Sequence, residues 1–429
     1  MTIQDTSTAP AGSHAGRSAS MPFIMLTVLI DMVSIGLIIP VLPALVGTFT
    51  SNPSEQAHWF GVVAFAFGIA SFFGSPILGA LSDRYGRRPV LLLGFSGLAL
   101  SFFVTAMATA LWMLIAVRLV AGALMANAAV ANAYVADITP PEQRAKRFGL
   151  LGAMFGIGFI LGPVMGGLLG SIDLHWPFYA AGTLALLNWL YGFFVLPESL
   201  PKERRQAFEW RKANPVGSLK ALGQLRGVGA LVVVIGLASL AQFILHTTWV
   251  LYTQLKFGWG PKENGWSLFA VGVMSALVQG VLVGKMLKRW SAQRLAVLGL
   301  VSSTACYALW GAATEGWMMY AVIFFNVLGF AAQAAIQALV SNAADPRSQG
   351  QTMGAVASLN SLMAVAAPVI GPSILGFVSH LPRGDWRIGA PYYLCAVLQA
   401  LATIVAVRHF ARARHLRSAA TPGAAGPAS

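Results

Sequence analysis

Two charged residues, Asp31 and Arg118, stand inside long apolar stretches of the sequence. An ionisable group in such a stretch indicates function, and its natural partner is an opposite charge. Burial disfavours the charged form of a carboxyl group, whereas a nearby guanidinium favours it. A pair that opens and closes would therefore bind and release a proton. We predict that Asp31 binds a coupling proton and that Arg118 tunes this binding, with a permanent structural ion pair as the alternative.

The apolar stretches around these residues are long enough to cross a membrane. The chain has 429 residues, of which 57% are hydrophobic and 10% charged, whereas about 25% of the residues of a soluble domain are charged. A membrane helix needs about 20 apolar residues, so we predict an all-α membrane protein with twelve spans. These spans cover about residues 22–46, 58–80, 90–108, 110–136, 148–170, 177–196, 226–250, 264–287, 294–312, 317–341, 352–378 and 390–408.

Helix geometry places the two charges at similar depths. The first span starts near Pro22 at one face, so Asp31 lies roughly 14 Å inside the membrane at about 1.5 Å per residue. The fourth span starts near Ala110 at the other face, which puts Arg118 about 12 Å from that face. In a hydrocarbon core about 30 Å thick, the two heights differ by about one helical turn. We therefore expect the two side chains to pair.

The basic residues are distributed unequally between the two sides of the membrane. Of 28 Lys and Arg residues, 23 fall on the side of the N-terminus and Arg118 lies within a span. The other side receives only Lys256, Lys262, Arg383 and Arg387. Because cytoplasmic loops are enriched in Lys and Arg, we predict that both termini are cytoplasmic. The net charge of +14 then reflects topology, and nucleic acid is not an expected partner.

The sequence contains an internal repeat. The segment GPVMG that starts at Gly162 corresponds to APVIG at Ala367, an offset of 205 residues. Six spans per half is an even number, so we predict parallel repeats with a substrate site at their interface near the middle of the bilayer. The predicted regions are a disordered cytoplasmic tail 1–21, six-helix bundles 22–196 and 226–408, a cytoplasmic loop 197–225, and a basic disordered tail 409–429.

The loop after the second span carries the most specific motif, GALSDRYGRRP from Gly79 to Pro89. Asp83 can pair with arginine or cap a helix, and Gly86 can adopt the positive φ of a tight reversal. The arginines Arg84, Arg87 and Arg88 would anchor the loop on the cytoplasmic side. The alternative is a basic loop that contains an aspartate and two glycines by coincidence.

This motif and several other segments resemble one family. The fixed positions of G-x-x-x-D-R-x-G-R-R match the loop signature of the major facilitator superfamily, and specifically of its tetracycline/proton antiporter-like drug exporters with twelve helices. The resemblance extends over nearly the whole chain outside the tails. Its further segments are LIDMVSIGLIIPVLP, LWMLIAVRLVAGAL, VADITPPEQRAKRFG, GAMFGIGFILGPVMGG and TTWVLYTQLKFGW.

The resemblance implies the major facilitator fold, two pseudo-symmetric six-helix bundles, in the inner membrane of a bacterium. It implies export of a drug or another small organic molecule in exchange for protons, by alternating access, and hence a role in antibiotic resistance. It also implies that Arg118 takes part in coupling and that the loop, together with Asp137, latches the halves on the cytoplasmic side in the outward-facing state. The exporter glycine pattern of the fifth span would comprise Gly152, Gly156, Gly162, Pro163, Gly166 and Gly167.

Polar residues within the spans are candidates for the wall of a substrate cavity. Each can equally hydrogen-bond a neighbouring helix. The candidates are Asn127, Gln242, His246, Gln279, Gln333 and Gln337. The sequence predicts no cofactor or resident metal besides the coupling proton, and it leaves open a divalent cation carried with the substrate. The expected partners are a small-molecule substrate, protons and the lipid bilayer, and the chain is expected to function as a monomer.

The sequence departs from tetracycline exporters at two positions. Ser101 and Ser303 occupy places where the resemblance implies intramembrane acids, which favours a less polar or different drug substrate. A proton-coupled importer is the nearest alternative, followed by an intramembrane enzyme or a transporter-derived receptor. The sequence has no H-E-x-x-H or G-x-S-x-G motif and no G-x-x-x-x-G-K-[ST] loop, so we expect neither enzymatic activity nor ATP-driven transport by this chain alone.

Overall fold

A computed structural model describes residues 13–210, 214, 217, 229–343 and 349–419. These residues form helices joined by short turns, and no β-strand occurs among them. The helices of the first half are α1 (Ser13–Ile38), α2 (Leu42–Gly47), α3 (Pro53–Tyr85), α4 (Arg87–Ala106), α5 (Leu111–Ala123), α6 (Asn127–Ile138), α7 (Arg144–Gly170) and α8 (Trp176–Val195). Those of the second half are α9 (Gly229–Phe257), α10 (Pro261–Leu277), α11 (Val283–Arg289), α12 (Ala292–Ala312), α13 (Gly316–Phe325), α14 (Val327–Ala343), α15 (Gln349–Val378) and α16 (Ala390–Ala419).

These helices confirm the prediction of twelve spans in an all-α membrane protein. Eleven segments in the described part of the chain are long and apolar enough to cross a membrane on their own, and α13 and α14 form the tenth span as a pair bent by 47°. The first span joins α1 to α2, and the fourth joins α5 to α6. The eighth joins α10 to α11 through a π-helical turn at Val278–Leu282. The remaining spans are single helices.

Four spans therefore depart from a single helix. The hydrophobic pattern does not predict the breaks in the fourth and tenth spans or the π-helical turn in the eighth. Residues 124–126 separate α5 from α6, and Asn326 separates α13 from α14. Both interruptions lie within apolar sequence without proline, so hydropathy alone reads each pair as one continuous helix. A π-helical turn like that in the eighth span is often found at a functional site.

The ends of the chain differ from the expected disordered tails. Helix α1 begins at Ser13 and α16 continues to Ala419, so both helices extend into segments that composition assigns to tails. Adding a residue to an existing helix requires no new nucleation, and the alanines and arginines of residues 409–419 are strong helix formers. The rest of the predicted tails, residues 1–12 and 420–429, lies outside the described residues. Residues 211–213, 215, 216 and 218–225 of the predicted central loop, and residues 226–228 and 344–348 of the predicted second bundle, also lie outside them.

The same helix pairs pack together in both halves. Helix α1 packs against α7 in the first half, as α9 packs against α15 in the second. Likewise α4 packs against α8, as α12 packs against α16. Two seams join the halves, namely α3 against α15 and α7 against α10. These seams surround the region where a substrate site is expected.

The apolar core is continuous at one end of the molecule and divided at the other. We call the end with the turns after Tyr85, Ile138, Val195 and Arg289 the basic end, and the other the opposite end. Near the opposite end, one cluster of buried side chains includes residues of both halves, such as Phe60 and Tyr252. Near the basic end, separate clusters lie within the first half and the second half. The halves thus pack together mainly at the opposite end.

Candidate functional site

The seam between α7 and α10 is closed only toward the opposite end. A β-carbon added to Gly167 of α7 would lie 2.5 Å from the carbonyl oxygen of Pro261 and 3.0 Å from Cα of Gly265. Toward the basic end, a β-carbon on Gly152 or Gly156 would meet no atom within 4 Å. The small residues that permit close helix contact therefore face open space in that part of α7.

The seam between α3 and α15 follows the same pattern. A β-carbon on Gly61 would lie 2.7 Å from the carbonyl oxygen of Pro368, whereas one on Gly79 or Gly354 would have no neighbour within 4 Å. A hydrogen bond between Gln56 and Gln254, 3.2 Å long, also joins the halves near the opposite end. Both seams are therefore closed at the opposite end and open at the basic end.

The opening continues into a cavity of about 590 Å³ between the halves. Arg118 contributes the charged group of its lining, and hydroxyl groups come from α3, α9 and α15. The polar lining residues are Ser71, Ser75, Arg118, Thr247, Ser358 and Ser361. Sequence reasoning missed the serines, although the spacing of Ser71 from Ser75 and of Ser358 from Ser361 places each pair on one helix face.

Asp31 is buried on α1 and hydrogen-bonded to the fourth span. Asp31 is 3% exposed. Its Oδ1 accepts a hydrogen bond of 3.1 Å from Nδ2 of Asn127. Asn127 is the first residue of α6, directly after the interruption of the span. Its side-chain oxygen occupies the space that a β-carbon on Gly94 would need. The glycine of α4 thus permits the approach that brings Asn127 to Asp31.

Arg118 does not pair with Asp31, although the structure describes both residues. Arg118 is 6% exposed, and its Nε and Nη2 atoms have no hydrogen-bond partner. Helix α5, which carries it, packs mainly against α3, so the guanidinium lines the cavity rather than facing α1. The expected pair is therefore not formed in this structure, because similar depth does not imply that two side chains point toward each other.

The loop motif forms a compact polar cluster within the first half. The buried guanidinium of Arg87 contacts Asp83 Oδ1 at 2.6 Å and Asp137 Oδ2 at 3.1 Å, and its Nη1 donates to Ser82 Oγ. Gly86 has a φ of 109°, which confirms the predicted positive φ. The loop thus folds back so that one arginine bridges two carboxylates.

A third carboxylate, that of Glu198, completes this cluster. It accepts hydrogen bonds from the backbone nitrogens of Arg87 at 2.8 Å and Arg88 at 3.2 Å. Carboxylates at a helix N-terminus satisfy free backbone donors there, and these nitrogens begin α4. Sequence reasoning missed Glu198; its position directly after the sixth span was the available signal.

The remaining arginines of the motif also contact the first half. Arg88 donates from Nη2 to the carbonyl oxygen of Phe193 at 2.5 Å, and the exposed Arg84 stacks on the ring of Tyr85. The carbonyl oxygen of Asp83 accepts from the backbone nitrogen of Gln206. The loop contacts described here therefore lie in the first half and in the segment that follows it, as expected when the halves are apart at the basic end.

The glycines of the fifth span serve three different surfaces. Gly162 and Gly166 pack against α1, where added β-carbons would overlap the backbone of Gly36 and Leu37. Gly167 packs against α10, and the carbonyl oxygen of Pro163 lies 2.5 Å from the position of a β-carbon on Gly265. Gly152 and Gly156 border the open cleft. The glycines of the fifth span thus combine packing within the first half with a surface that meets the second half.

The six residues expected in the cavity wall do not line this cavity. Asn127 binds Asp31 instead. Gln242 contacts His246 Nε2 at 2.8 Å and accepts from the hydroxyl of Tyr307 at 3.1 Å. Gln279 donates to Ser275 at 2.6 Å, and Gln333 and Gln337 are exposed side chains one turn apart on α14.

No cluster of three or more potential metal ligands occurs among the described residues. Ser101 and Ser303, at the places of the acids that the resemblance implies, are both buried. Outside the membrane spans, Asp385 accepts hydrogen bonds from the backbone and the guanidinium of Arg387, which lower its pKa to about 2. Asp31 is the buried acidic residue in the described part of the chain.

Comparisons with known proteins agree with this architecture. The family model described as "Major Facilitator Superfamily" matches residues 24–368. The chain is 39% identical over 372 residues to the "Tetracycline resistance protein, class C" of Escherichia coli, covering 86% of this chain and 93% of that protein. It is 34% identical over 384 residues to the class D protein of Salmonella ordonez, covering 88% and 96%. The crystal structure of the nucleoside transporter NupG matches with a TM-score of 0.73 at 15% identity, covering 91% and 98%, a likeness of fold alone.

Proposed function

The chain belongs to the Major Facilitator Superfamily, and we propose that it is a proton-coupled antiporter that exports a drug or another small organic molecule. The observation that carries this proposal is the cavity between the halves, closed at the opposite end and open at the basic end. Such a site is accessible from one side of the membrane at a time. Rocking of one half against the other would move the access to the other side.

The direction of transport follows from sidedness and from the relatives. Cytoplasmic loops are rich in Lys and Arg, so we place the basic end and both termini in the cytoplasm of a bacterium. The cavity then faces the compartment from which an exporter loads its substrate. The relatives are named for tetracycline resistance, and a transporter can confer resistance by removing a drug from the cell. This favours export over import.

We assign the proton-binding role to Asp31. A carboxyl group buried within a span can hold a proton where its charged form is poorly solvated. The amide of Asn127 stabilises the charged form in this state. Arg118 would supply a cation whose distance from Asp31 differs between the two states of the transporter. Proton and substrate would then compete through the conformations that each favours.

We also propose that the loop motif is the latch of the cytoplasmic side. Arg87, Asp83 and Asp137 form a preorganised cluster at the basic end of the first half. When the halves close at this end, the cluster would provide a polar surface for the second half. In the present state the side chain of Asp83 is 47% exposed, so it remains accessible for such a contact.

The relatives and the residues within the spans point to different substrates. The class C and class D relatives are named for resistance to tetracycline, which makes it the first compound to test. Ser101 and Ser303, however, supply hydroxyl groups rather than carboxylates. We therefore propose a drug of another type as the principal substrate. We propose that the chain acts as a transporter without enzymatic activity, a cofactor or a resident metal, and that it functions as a monomer.

The test starts with a susceptibility panel on bacteria with and without the chain, including tetracycline. The compound with the largest increase in resistance then serves as the probe in inside-out vesicles with an imposed pH gradient. We expect the wild-type protein and the control Asp173→Asn, in an exposed loop, to accumulate the probe. Asp31→Asn should abolish gradient-driven accumulation. Undiminished accumulation by Asp31→Asn would refute its coupling role, and movement of the probe out of these vesicles would refute export.

A further inference from the structure

We propose that Arg118 binds an anionic group of the transported compound, so that the chain selects organic anions over organic cations. The acidic group could be a carboxylate, a sulfonate or an ionised phenol. The binding part of this inference rests on the proposed function only in treating the cavity between the halves as the substrate site, and its transport part also rests on exchange for a proton. It assigns Arg118 a direct contact with the substrate, in addition to its proposed influence on the proton.

The first observation is the isolation of the guanidinium. Arg118 is 6% exposed, and two of its three nitrogens, Nε and Nη2, are buried without a hydrogen-bond partner. A buried charge or donor without a partner is costly, and arginine is rarely buried unless it is paired. No ion pair connects Arg118 with any acidic residue in the described part of the chain. An anionic group in the adjoining cavity would offset the cost of this unpaired charge.

The second observation is the position of Arg118 in the wall of a cavity of suitable size. The cavity has a volume of about 590 Å³, within the range of roughly 300–1,000 Å³ that is typical of sites for drug-sized ligands. Its other polar groups are hydroxyls, among them those of Ser71, Ser75 and Ser358. Its remaining lining residues are apolar and range in size from glycine and alanine to phenylalanine. The site therefore combines an apolar surface with one fixed cation.

The third observation is the absence of a compensating acid from the lining of this cavity. The lining contains no Asp or Glu, and the carboxylate of Asp31 accepts a hydrogen bond from Asn127. A cationic ligand would be repelled by Arg118 at close range. The planar guanidinium, in contrast, matches a carboxylate with two parallel hydrogen bonds. Electrostatics therefore favours anions in this cavity.

The charge of the substrate has a consequence for the driving force. Exchange of one exported monovalent anion for one imported proton moves two positive charges inward per cycle, counting the departing negative charge as one. Exchange of a monovalent cation for a proton moves no net charge. An inside-negative membrane potential would thus drive the proposed exchange together with the pH gradient. The sign and size of the potential dependence therefore report the charge of the transported compound.

The binding test uses two xanthene dyes with similar rings and opposite charge, anionic fluorescein and the cationic tetramethylrhodamine methyl ester. Binding to the purified full chain in lipid nanodiscs is measured by fluorescence anisotropy. We expect fluorescein to bind wild type at least about tenfold more tightly than the rhodamine ester, because charge-assisted hydrogen bonds contribute roughly 1.5–3 kcal/mol. Arg118→Gln should weaken fluorescein binding by a similar factor, and Arg118→Lys by less. Arg294 is an exposed residue of α12, and Arg294→Gln makes the same change there. This control variant should bind fluorescein like wild type.

Several results would overturn the proposal. These are failure of fluorescein to bind wild type, equal or tighter binding of the rhodamine ester, and unchanged fluorescein binding by Arg118→Gln. If Arg118→Gln does not fold, Arg118→Lys decides, since loss of the planar fork must still weaken fluorescein binding. These measurements need no proton gradient. A failure of proton coupling in the vesicle assay would therefore leave the binding result intact, and the reverse also holds.

The second measurement is the response of transport to membrane potential. Inside-out vesicles are loaded with one potassium concentration and diluted into another. Valinomycin then makes the membrane permeable to potassium and sets a defined potential without a pH gradient. Accumulation of fluorescein should increase when the potential is positive inside these inverted vesicles and decrease when it is negative. A response of the opposite sign, or none, would contradict exchange of an anion for a proton.

Discussion

The two halves of the molecule share their packing but not their intramembrane chemistry. At the repeat offset of 205 residues, the positions of Asp31, Arg118 and Asn127 are occupied in the second half by Gly236, Ile323 and Ala332. The second half therefore lacks the buried acid, its amide partner and the cavity arginine. Yet α9 and α15 pack as α1 and α7 do. Helix packing depends on small residues at a few contacts, so it persists where the charged groups do not.

The two copies of the loop differ in the same way. In the first copy, Arg87 is buried between Asp83 and Asp137. In the second copy, Ala292 stands at the position of Arg87, and Lys288 stands at that of Asp83. There the basic side chains surround a surface cavity of about 480 Å³, lined by Leu282, Lys285, Met286, Lys288, Arg289 and Trp290. The difference indicates that one half holds the coupling and latch chemistry, while the other provides a partner surface for the cavity.

The largest expected difference concerns the loop arginines. Arg87→Gln would leave Asp137 without its cation in a partly buried site, and breaking a buried pair costs about 3–5 kcal/mol; we expect about 3 kcal/mol here because both carboxylates are partly exposed. Arg289→Gln, an exposed change in the second copy, should stay within about 0.5 kcal/mol. Unfolding of both variants in detergent measures this contrast. Equal losses of stability would show that the two copies are not different in structure.

The next contrast compares equivalent glycines of the two halves. A β-carbon on Gly166 would overlap the carbonyl group of Leu37, whereas one on Gly371 would meet the methyl groups of Thr248 and Ile244 at 2.7 Å and 3.1 Å. Side-chain methyl groups can shift more easily than backbone. We expect Gly166→Ala to lower the free energy of unfolding by about 2 kcal/mol and Gly371→Ala by less than about 1 kcal/mol. A greater loss in Gly371→Ala would contradict the tighter packing assigned to the first half.

A third contrast concerns two asparagines at the interruptions of spans four and ten. Asn127→Ala removes the donor to Asp31, so gradient-driven transport should fall about tenfold, the effect of losing one hydrogen bond to a charged group. The buried Asn326, whose Oδ1 has no partner, serves as the matched control. Asn326→Ala should retain the ratio of gradient-driven to gradient-free transport. If both variants lost that ratio equally, coupling would not be confined to the first half.

The smallest expected effect concerns an aspartate in a loop at the opposite end of each half. The pKa of Asp385 is lowered to about 2, and that of Asp173 is lowered by hydrogen bonds from His175. Each depressed pKa contributes stability above the unfolded value of about 3.9, and this contribution is lost as the pH falls toward the folded value. Melting temperatures between pH 5 and pH 2 should thus decline less in Asp385→Asn than in wild type. A parallel decline would contradict the assignment.

Most of the fold could be predicted from the sequence, because the length of apolar runs is set by the thickness of the bilayer. The interruptions at residues 124–126 and at Asn326 could not, since neither contains the proline that usually marks a break. The site was predicted in part. Asp31 and Arg118 were found by their charge, and their depths were estimated from helix rise. Rise along an axis gives no rotation about it, so the direction of Arg118 toward the cavity and of Asn127 toward Asp31 emerged only from the packed helices.

Coupling by the first half is tested most sharply by separating proton coupling from substrate movement in Asp31→Asn. Inside-out vesicles are assayed for accumulation of the panel compound under a pH gradient, and for exchange of labelled against unlabelled compound without a gradient. We expect Asp31→Asn to lose accumulation but to keep exchange near the wild-type rate, because the cavity and both seams remain intact. Accumulation that persists in Asp31→Asn, together with normal exchange, would contradict the assignment of the coupling proton to the first half.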